Sequence, residues 1–180
     1  MSLLIASDIH GSVSGANLVR DKVKELAPEA VLLLGDLLYH GPRNHLPDQY
    51  APLETATVLA ELEVPIMAVR GNCEADVDQL MLPFHLAENA WLWLDGRRVL
   101  ALHGQQLPEN GGHLKIENGL TILYGHSHLP IAEKRGMTHY WNPGSVALPK
   151  GGHPPSFGLY EKGRFTVLSF NGNSLVRDAW

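Results

Sequence analysis

Asp8-Ile9-His10, Gly35-Asp36, Gly71-Asn72, His103-Gly104 and Gly125-His126-Ser127-His128 set carboxylate, imidazole and amide side chains at five points along the chain. These groups are ligands for divalent ions. Asp8/His10 and His126/His128 are spaced i, i+2, which on an extended backbone turns both members of a pair to one side. The neighbouring glycines permit tight turns and close approach of backbone to a ligand. The candidates are Asp8, His10, Asp36, Asn72, His103, His126 and His128. They are too many for one tetrahedral ion and suffice for two if a carboxylate bridges, with Asp36 the expected bridge.

Two divalent ions bring about +4, and Asp8, Asp36 and a bridging hydroxide remove three charges, leaving an excess of about +1 that attracts a phosphate anion. The chemistry expected is hydrolysis of a phosphate ester, with the hydroxide attacking while both ions clamp the phosphoryl oxygens. Nitrogen and oxygen ligands without thiolate suit manganese first, with iron, zinc, nickel or cobalt also compatible. A lone Asp-x-His or His-x-His is ordinary in loops. The weight here comes from recurrence, because each motif follows an apolar run.

Those runs are the elements that must position the ligands. Leu3 to Ala6, Ala30 to Leu34 and Pro65 to Val69 read as strands buried on both faces, and Val19, Val23 and Leu26, then Val58 and Leu62, recur at helical spacing between them. The first half is therefore predicted as β-α-β-α-β with parallel strands, whose carboxyl ends are where such sheets bind ligands. Trp91 to Leu94 and Val99 to Leu102 around Asp95-Gly96, and Phe157 to Tyr160 and Phe165 to Phe170 around Lys162-Gly163, read as hairpins. Thr121 to Tyr124 is another buried strand. The expected fold is α/β, with two facing mixed sheets and helices outside, in one domain over residues 1–180. The Pro/Gly-rich stretch from His40 to Pro52 reads as a long loop, functional or a plain surface excursion.

Composition limits the alternatives. The net charge of −5 over 180 residues offers no basic footprint, so no stable nucleic-acid complex is expected. Cys73 is the only cysteine, which excludes an internal disulfide and favours the cytoplasm. No run approaches the ~20 apolar residues of a membrane span, and the amino terminus lacks the charged and apolar regions of a signal peptide. Trp91, Trp93 and Trp141 read as core or interface residues, and His45, His85, His113, His139 and His153 as surface or core.

The ordered motifs resemble the calcineurin-like metallophosphoesterase superfamily, whose pattern runs D-x-H, G-D, G-N-H-D/E, H and G-H-x-H. His40-Gly41-Pro42-Arg43-Asn44, Gly71-Asn72-Cys73-Glu74, Asn142-Pro143-Gly144-Ser145 and Pro149-Lys150-Gly151-Gly152 are similar to the small bacterial phosphodiesterases of the YfcE type. The resemblance implies a four-layer α/β/β/α sandwich, a small phosphodiester substrate, manganese activation and a homo-oligomer. It also implies one ion on Asp8, His10, Asp36 and His128 and a second on Asp36, Asn72, His103 and His126.

Where the superfamily has a histidine after Gly-Asn, this chain has Cys73. A neutral thiol donates a hydrogen bond but carries no charge, so activated diesters are expected to outpace alkyl monoesters. Its plain reading is a small packed residue. Arg70 is a candidate for holding a phosphate oxygen, or for pairing with a structural carboxylate. His40 is a further catalytic candidate. Asn142 and Ser145 either orient His126 or His128 or simply make a turn. The competing functions are a nucleotide phosphomonoesterase or nuclease and, from another class, a Vps29-like protein-interaction scaffold with a vestigial site.

Overall fold

The computed structural model spans residues 1–180. A first sheet contains β1 (Ser2–Ala6), β2 (Ala30–Leu33), β3 (Ile66–Val69), β4 (Leu86–Ala87), β10 (Ser156–Glu161), β11 (Arg164–Ser169) and β12 (Ser174–Ala179). A second contains β5 (Ala90–Leu94), β6 (Arg97–Ala101), β7 (Thr121–Leu123), β8 (Pro130–Arg135) and β9 (Thr138–Pro143). Their orders are β12-β11-β10-β1-β2-β3-β4 and β5-β6-β7-β9-β8. Both sheets are mixed. β1 to β4 run parallel and β10 joins β1 antiparallel, while β6, β7 and β9 are parallel between two antiparallel edges.

Strand periodicity builds the layers. Leu4 and Ala6 of β1 and Val31 and Leu33 of β2 pack outward under two helices, with Val19, Val23, Ala56 and Leu59. Leu3, Ile5 and Leu32 point the other way, into a core shared with Val99, Ala101, Leu123, Trp141 and Phe165. Each such buried aliphatic side chain contributes roughly 1.5–3 kcal/mol. The helices are α1 (Val13–Leu26), capped by Ser12 Oγ accepting from the Gly15 amide at 3.0 Å, and α2 (Pro52–Ala60), with Pro52 in its first turn. A one-turn α3 (Asp78–Met81) follows β3.

The outer layer of the second sheet differs from the helix expected there. Leu102, Leu107, Leu120, Ile122 and Tyr124 are covered by the irregular segment around Leu114 and Ile116, whose one regular element is the 3₁₀ turn Pro108–Asn110. Four strands have no counterpart in the sequence reading: β4, β8, β9 and β12. Of the three tryptophans read as core or interface, Trp141 is fully buried, stacked 5.0 Å from Phe165 and 4.6 Å from Trp180, whereas Trp91 and Trp93 on edge strand β5 are exposed. No helix is long and apolar enough to cross a membrane.

Beyond their carboxyl ends, neighbouring strands stay in step. The Asp8, His10 and Gly11 amides donate to the carbonyls of Gly35, Asp36 and Leu37 at 3.1, 2.8 and 2.8 Å. In the second sheet the Gly125 amide donates to the His103 carbonyl at 2.8 Å. The ligand-bearing loops are thus held by main chain to one another before any side chain is considered.

Candidate metal centre

All seven candidate ligands converge where the two sheets' carboxyl ends meet. Asp8, His10, Asp36, His103 and His128 are buried, His126 is half-buried, and Asn72 is exposed at the mouth. The convergence does not come from extended backbone. Asp8, His10, Asp36, His126 and His128 all have left-handed φ, between 51° and 63°. Left-handed turns, held by the loop-to-loop hydrogen bonds, aim each pair inward, and such conformations persist only where the surroundings over-determine them.

One group of donor atoms comprises Asp8 Oδ1, His10 Nε2, His128 Nε2 and Asp36 Oδ2. His128 Nε2 lies 3.2 Å and His10 Nε2 3.6 Å from Asp8 Oδ1; the two Nε2 atoms are 3.4 Å apart, and His10 Nε2 is 3.7 Å from Asp36 Oδ2. A second group comprises Asp36 Oδ2, His103 Nε2, Asn72 Oδ1 and His126 Nδ1, at 3.3, 3.1 and 3.3 Å from His103 Nε2 respectively. Ligands about 2.0–2.2 Å from a common ion lie about 3.3–3.6 Å from each other in a tetrahedral arrangement, and the measured pairs fall close to that spacing. Asp36 Oδ2 faces His10 on one side and His103 on the other.

The surroundings leave the right atoms free. A carbonyl can only accept, so the Nδ1–H groups of His10, His103 and His128 donate to Tyr39 O, Leu34 O and Leu148 O at 2.8, 2.6 and 2.5 Å. In the neutral rings Nε2 then turns a lone pair inward. Asp8 Oδ2 accepts from Ser7 Oγ at 2.6 Å and the His126 amide at 3.1 Å. Asp8 Oδ1 is buried without a hydrogen-bond donor, an expensive arrangement that a cation would relieve. Asp36 Oδ1 accepts the Cys73 amide at 2.8 Å, which leaves Oδ2 for the two groups.

Two glycines are required by close approach. A Cβ at Gly71 would lie 2.1 Å from Asp36 Oδ1, and one at Gly125 would lie 1.9 Å from Ser7 Oγ. Behind Asp36 the buried Glu74 carboxylate accepts the amides of Asp36 at 2.9 Å, Gly71 at 2.5 Å and Leu37. Glu74 and Ser7 were not singled out from the sequence. Only the position of Glu74 directly after Asn72-Cys73 hinted at it.

The electrostatics match a cation site. Burial opposes charge on Asp8, yet the imidazoles of His10 and His128 that face it, with His103 nearby, hold its carboxyl well below the usual range. Burial likewise opposes ionisation of Asp36, and His103 outweighs it. His10 is raised and His103 is raised to about 9, in both cases against desolvation, chiefly by the facing carboxylates of Asp8 and Asp36 respectively. His126 is pushed down to about 4 by burial and then by the His103 charge. Without an ion, protons on imidazoles balance the carboxylates.

The remaining candidates lie elsewhere or act differently. The Arg70 guanidinium pairs with Asp76 at 2.8 Å and donates to the Glu74 carbonyl at 3.1 Å, away from the cleft, so its carboxylate-pairing reading replaces the phosphate-holding one. His40 is wedged edge-on between Tyr39 and Tyr50, at centroid distances of 4.7 and 5.1 Å, and does not line the cleft. Cys73 does line it, with Sγ 3.3 Å from Asn72 Nδ2; burial, then the charge of Asp36, pushes its thiol pKa up. Asn142 Nδ2 donates to Gly125 O and Ser127 Oγ at 2.7 and 3.0 Å, and Ser145 Oγ donates to Asp8 O at 2.9 Å. Both therefore hold ligand-bearing backbone and touch no imidazole. His139 is a core residue, bonded to Asp178 at 2.5 Å.

The ligands open onto a polar cleft of about 730 Å³, lined also by Tyr39, Arg43, Asn44, Asn110 and Lys150. Part of the His40 to Pro52 loop thus forms its wall.

Comparison with known proteins agrees with this geometry. Residues 1–163 match the calcineurin-like phosphoesterase superfamily domain. The chain is 40% identical over 179 residues to phosphodiesterase YfcE of Escherichia coli K12, covering 98% of this chain and 96% of that protein. The solved structure of YfcE, described as a phosphoesterase from E. coli, superposes with a TM-score of 0.93 at 37% identity, over 99% of each chain. Zinc-complexed Vps29 of Entamoeba histolytica shares the fold, with a TM-score of 0.64 at 18% identity over 99% of each chain.

Proposed function

This chain belongs to the calcineurin-like phosphoesterase superfamily, and from that premise we propose that it is a phosphodiesterase acting through two divalent ions. The observation that carries the reading is Asp36 Oδ2, common to two groups of donor atoms and 3.7 and 3.3 Å from His10 Nε2 and His103 Nε2. Asp8, His10, Asp36 and His128 would hold one ion, and Asp36, Asn72, His103 and His126 the other. Bound there, divalent ions lower the pKa of water and neutralise phosphoryl oxygens; manganese is our first assignment.

The chain's own groups do the rest. Three backbone carbonyls fix the imidazole tautomers of His10, His103 and His128. Glu74 locks the turns that carry Asp36 and Asn72. Cys73, kept protonated by burial and Asp36, offers a neutral S–H to a substrate oxygen and no strong acid to an alkoxide. Aryl and other good leaving groups are therefore favoured, so activated diesters should outpace alkyl monoesters.

Retention of every candidate ligand supports catalysis over a vestigial scaffold site, and the acidic chain supports a small substrate over nucleic acid. We further assign residues 1–180 to a single cytoplasmic domain and, from exposed Trp91 and Trp93, to a homo-oligomer whose mass light scattering would measure.

The test is hydrolysis of an aryl phosphodiester and its matching monoester by metal-stripped protein, before and after manganese, beside Asp36→Ala. Diester turnover that appears with manganese and is lost in the variant is expected. Folded protein inactive with every divalent ion tried would favour the scaffold.

A further inference from the structure

Arg43 and Lys150 line the cleft above the ligands, and neither takes part in the catalytic scheme above. Both are exposed. Neither is among the Arg and Lys residues in ion pairs to side-chain carboxylates, which are Arg20, Lys22, Arg70, Arg98 and Arg135, so both are free to meet an anion in a chain of net charge −5.

Their segments are tied to the ligands. Lys150 N–H donates to the His128 carbonyl at 3.2 Å, two residues beyond the Leu148 carbonyl that receives His128 Nδ1–H. Arg43 follows Tyr39, whose carbonyl receives His10 Nδ1–H, and Gly41, where a Cβ would meet Cys73 Sγ at 2.7 Å. The two cations thus enter the cleft on segments anchored to His10 and His128.

Charge counting exceeds what a simple diester needs. Two divalent ions against Asp8, Asp36, Glu74 and a bridging hydroxide leave about zero, and Arg43 and Lys150 raise this to about +2, while a phosphodiester supplies about −1. The lining has only two hydrophobic residues, which disfavours an apolar alcohol. Resting on the phosphodiesterase reading, we propose that Arg43 and Lys150 form a subsite for a second phosphate, carried on the alcohol of the diester. A guanidinium and an ammonium at the rim supply charge-assisted hydrogen bonds to that group.

Two chromogenic esters test this: thymidine 5′-(p-nitrophenyl phosphate) and the same ester with a 3′-phosphate. Manganese-loaded protein should prefer the 3′-phosphorylated ester in kcat/KM by about tenfold or more. The ratio should fall towards one in Arg43→Gln/Lys150→Gln and persist in Arg177→Gln, whose cation lies outside the cleft. Equal kcat/KM for both esters, or a preference that survives the double substitution, overturns the subsite. If neither ester is turned over, calorimetry on the same protein decides. Tighter binding of thymidine 3′,5′-bisphosphate than of thymidine 5′-monophosphate, lost in the double variant, keeps the subsite while the phosphodiesterase reading falls; equal affinity removes both.

Discussion

Glu74 accepts the Asp36 amide at 2.9 Å through the same carboxylate oxygen that accepts the Gly71 amide at 2.5 Å. A single buried acid thereby joins the loop after β2 to the loop after β3. Asp36 and Asn72, one from each loop, are held in register by it.

Glu74→Gln should show how much that junction matters. An amide NH₂ would face N–H donors, leaving buried donors unsatisfied at a cost of about 1–3 kcal/mol. Denaturant midpoints should fall accordingly, and manganese affinity by about 10- to 100-fold. An unchanged affinity would show that the junction does not position the ligands.

Ion stoichiometry separates shared from unshared ligands. Asn72→Ala should reduce the content measured by atomic emission from two ions towards one, because Asn72 belongs to a single donor group. Asp36→Ala, common to both groups, should weaken both ions and lower turnover by about 100-fold or more.

For the metal-free protein, pH dependence follows from His103. Burial opposes charge on His103, but Asp36 and Asp8 outweigh it and raise its pKa from the ordinary 6.5 to about 9, so the stabilisation is fully present below 6.5 and is lost as pH rises through 9. Thermal scans of metal-free protein should show Tm falling over that window. Manganese should reverse the fall, because a neutral imidazole is the ligand, and its binding below pH 9 should release protons measurable by calorimetry in two buffers.

Cys73 should be visible in leaving-group dependence. Rates for a series of aryl diesters should rise steeply as the leaving phenol becomes more acidic, since the protonated thiol gives little acid assistance. Cys73→His should flatten that slope. A slope identical in the two proteins would assign Cys73 to packing alone.

The buried parallel strands and the ligand motifs behind them were legible because each apolar run ends directly in Asp, Asn or His. The backbone carrying those ligands was not: nothing local marks Asp8 or His128 as left-handed, a conformation set by hydrogen bonds to chain far away in sequence. β8 and β12 escaped because they are edge strands with exposed charges, and β9 because His139 and Asn142 interrupt its apolar pattern. Arg70 shows the limit of residue type as a guide, since Asp76, six positions on, claims the guanidinium. Arg43, Lys150 and Glu74 lie within motifs that the sequence offers by resemblance, but only the fold shows what their side chains reach.

Asp8, His10, Asp36 and Asn72 follow strands of one sheet, while His103, His126 and His128 follow strands of the other. Ions shared among them would rivet the sandwich shut. Separating the sheets would then require releasing metal, so the unfolding rate should fall as free manganese rises. Resistance to proteolysis would follow the ion supply of the surroundings, making the lifetime of the molecule, as well as its turnover, a function of metal availability.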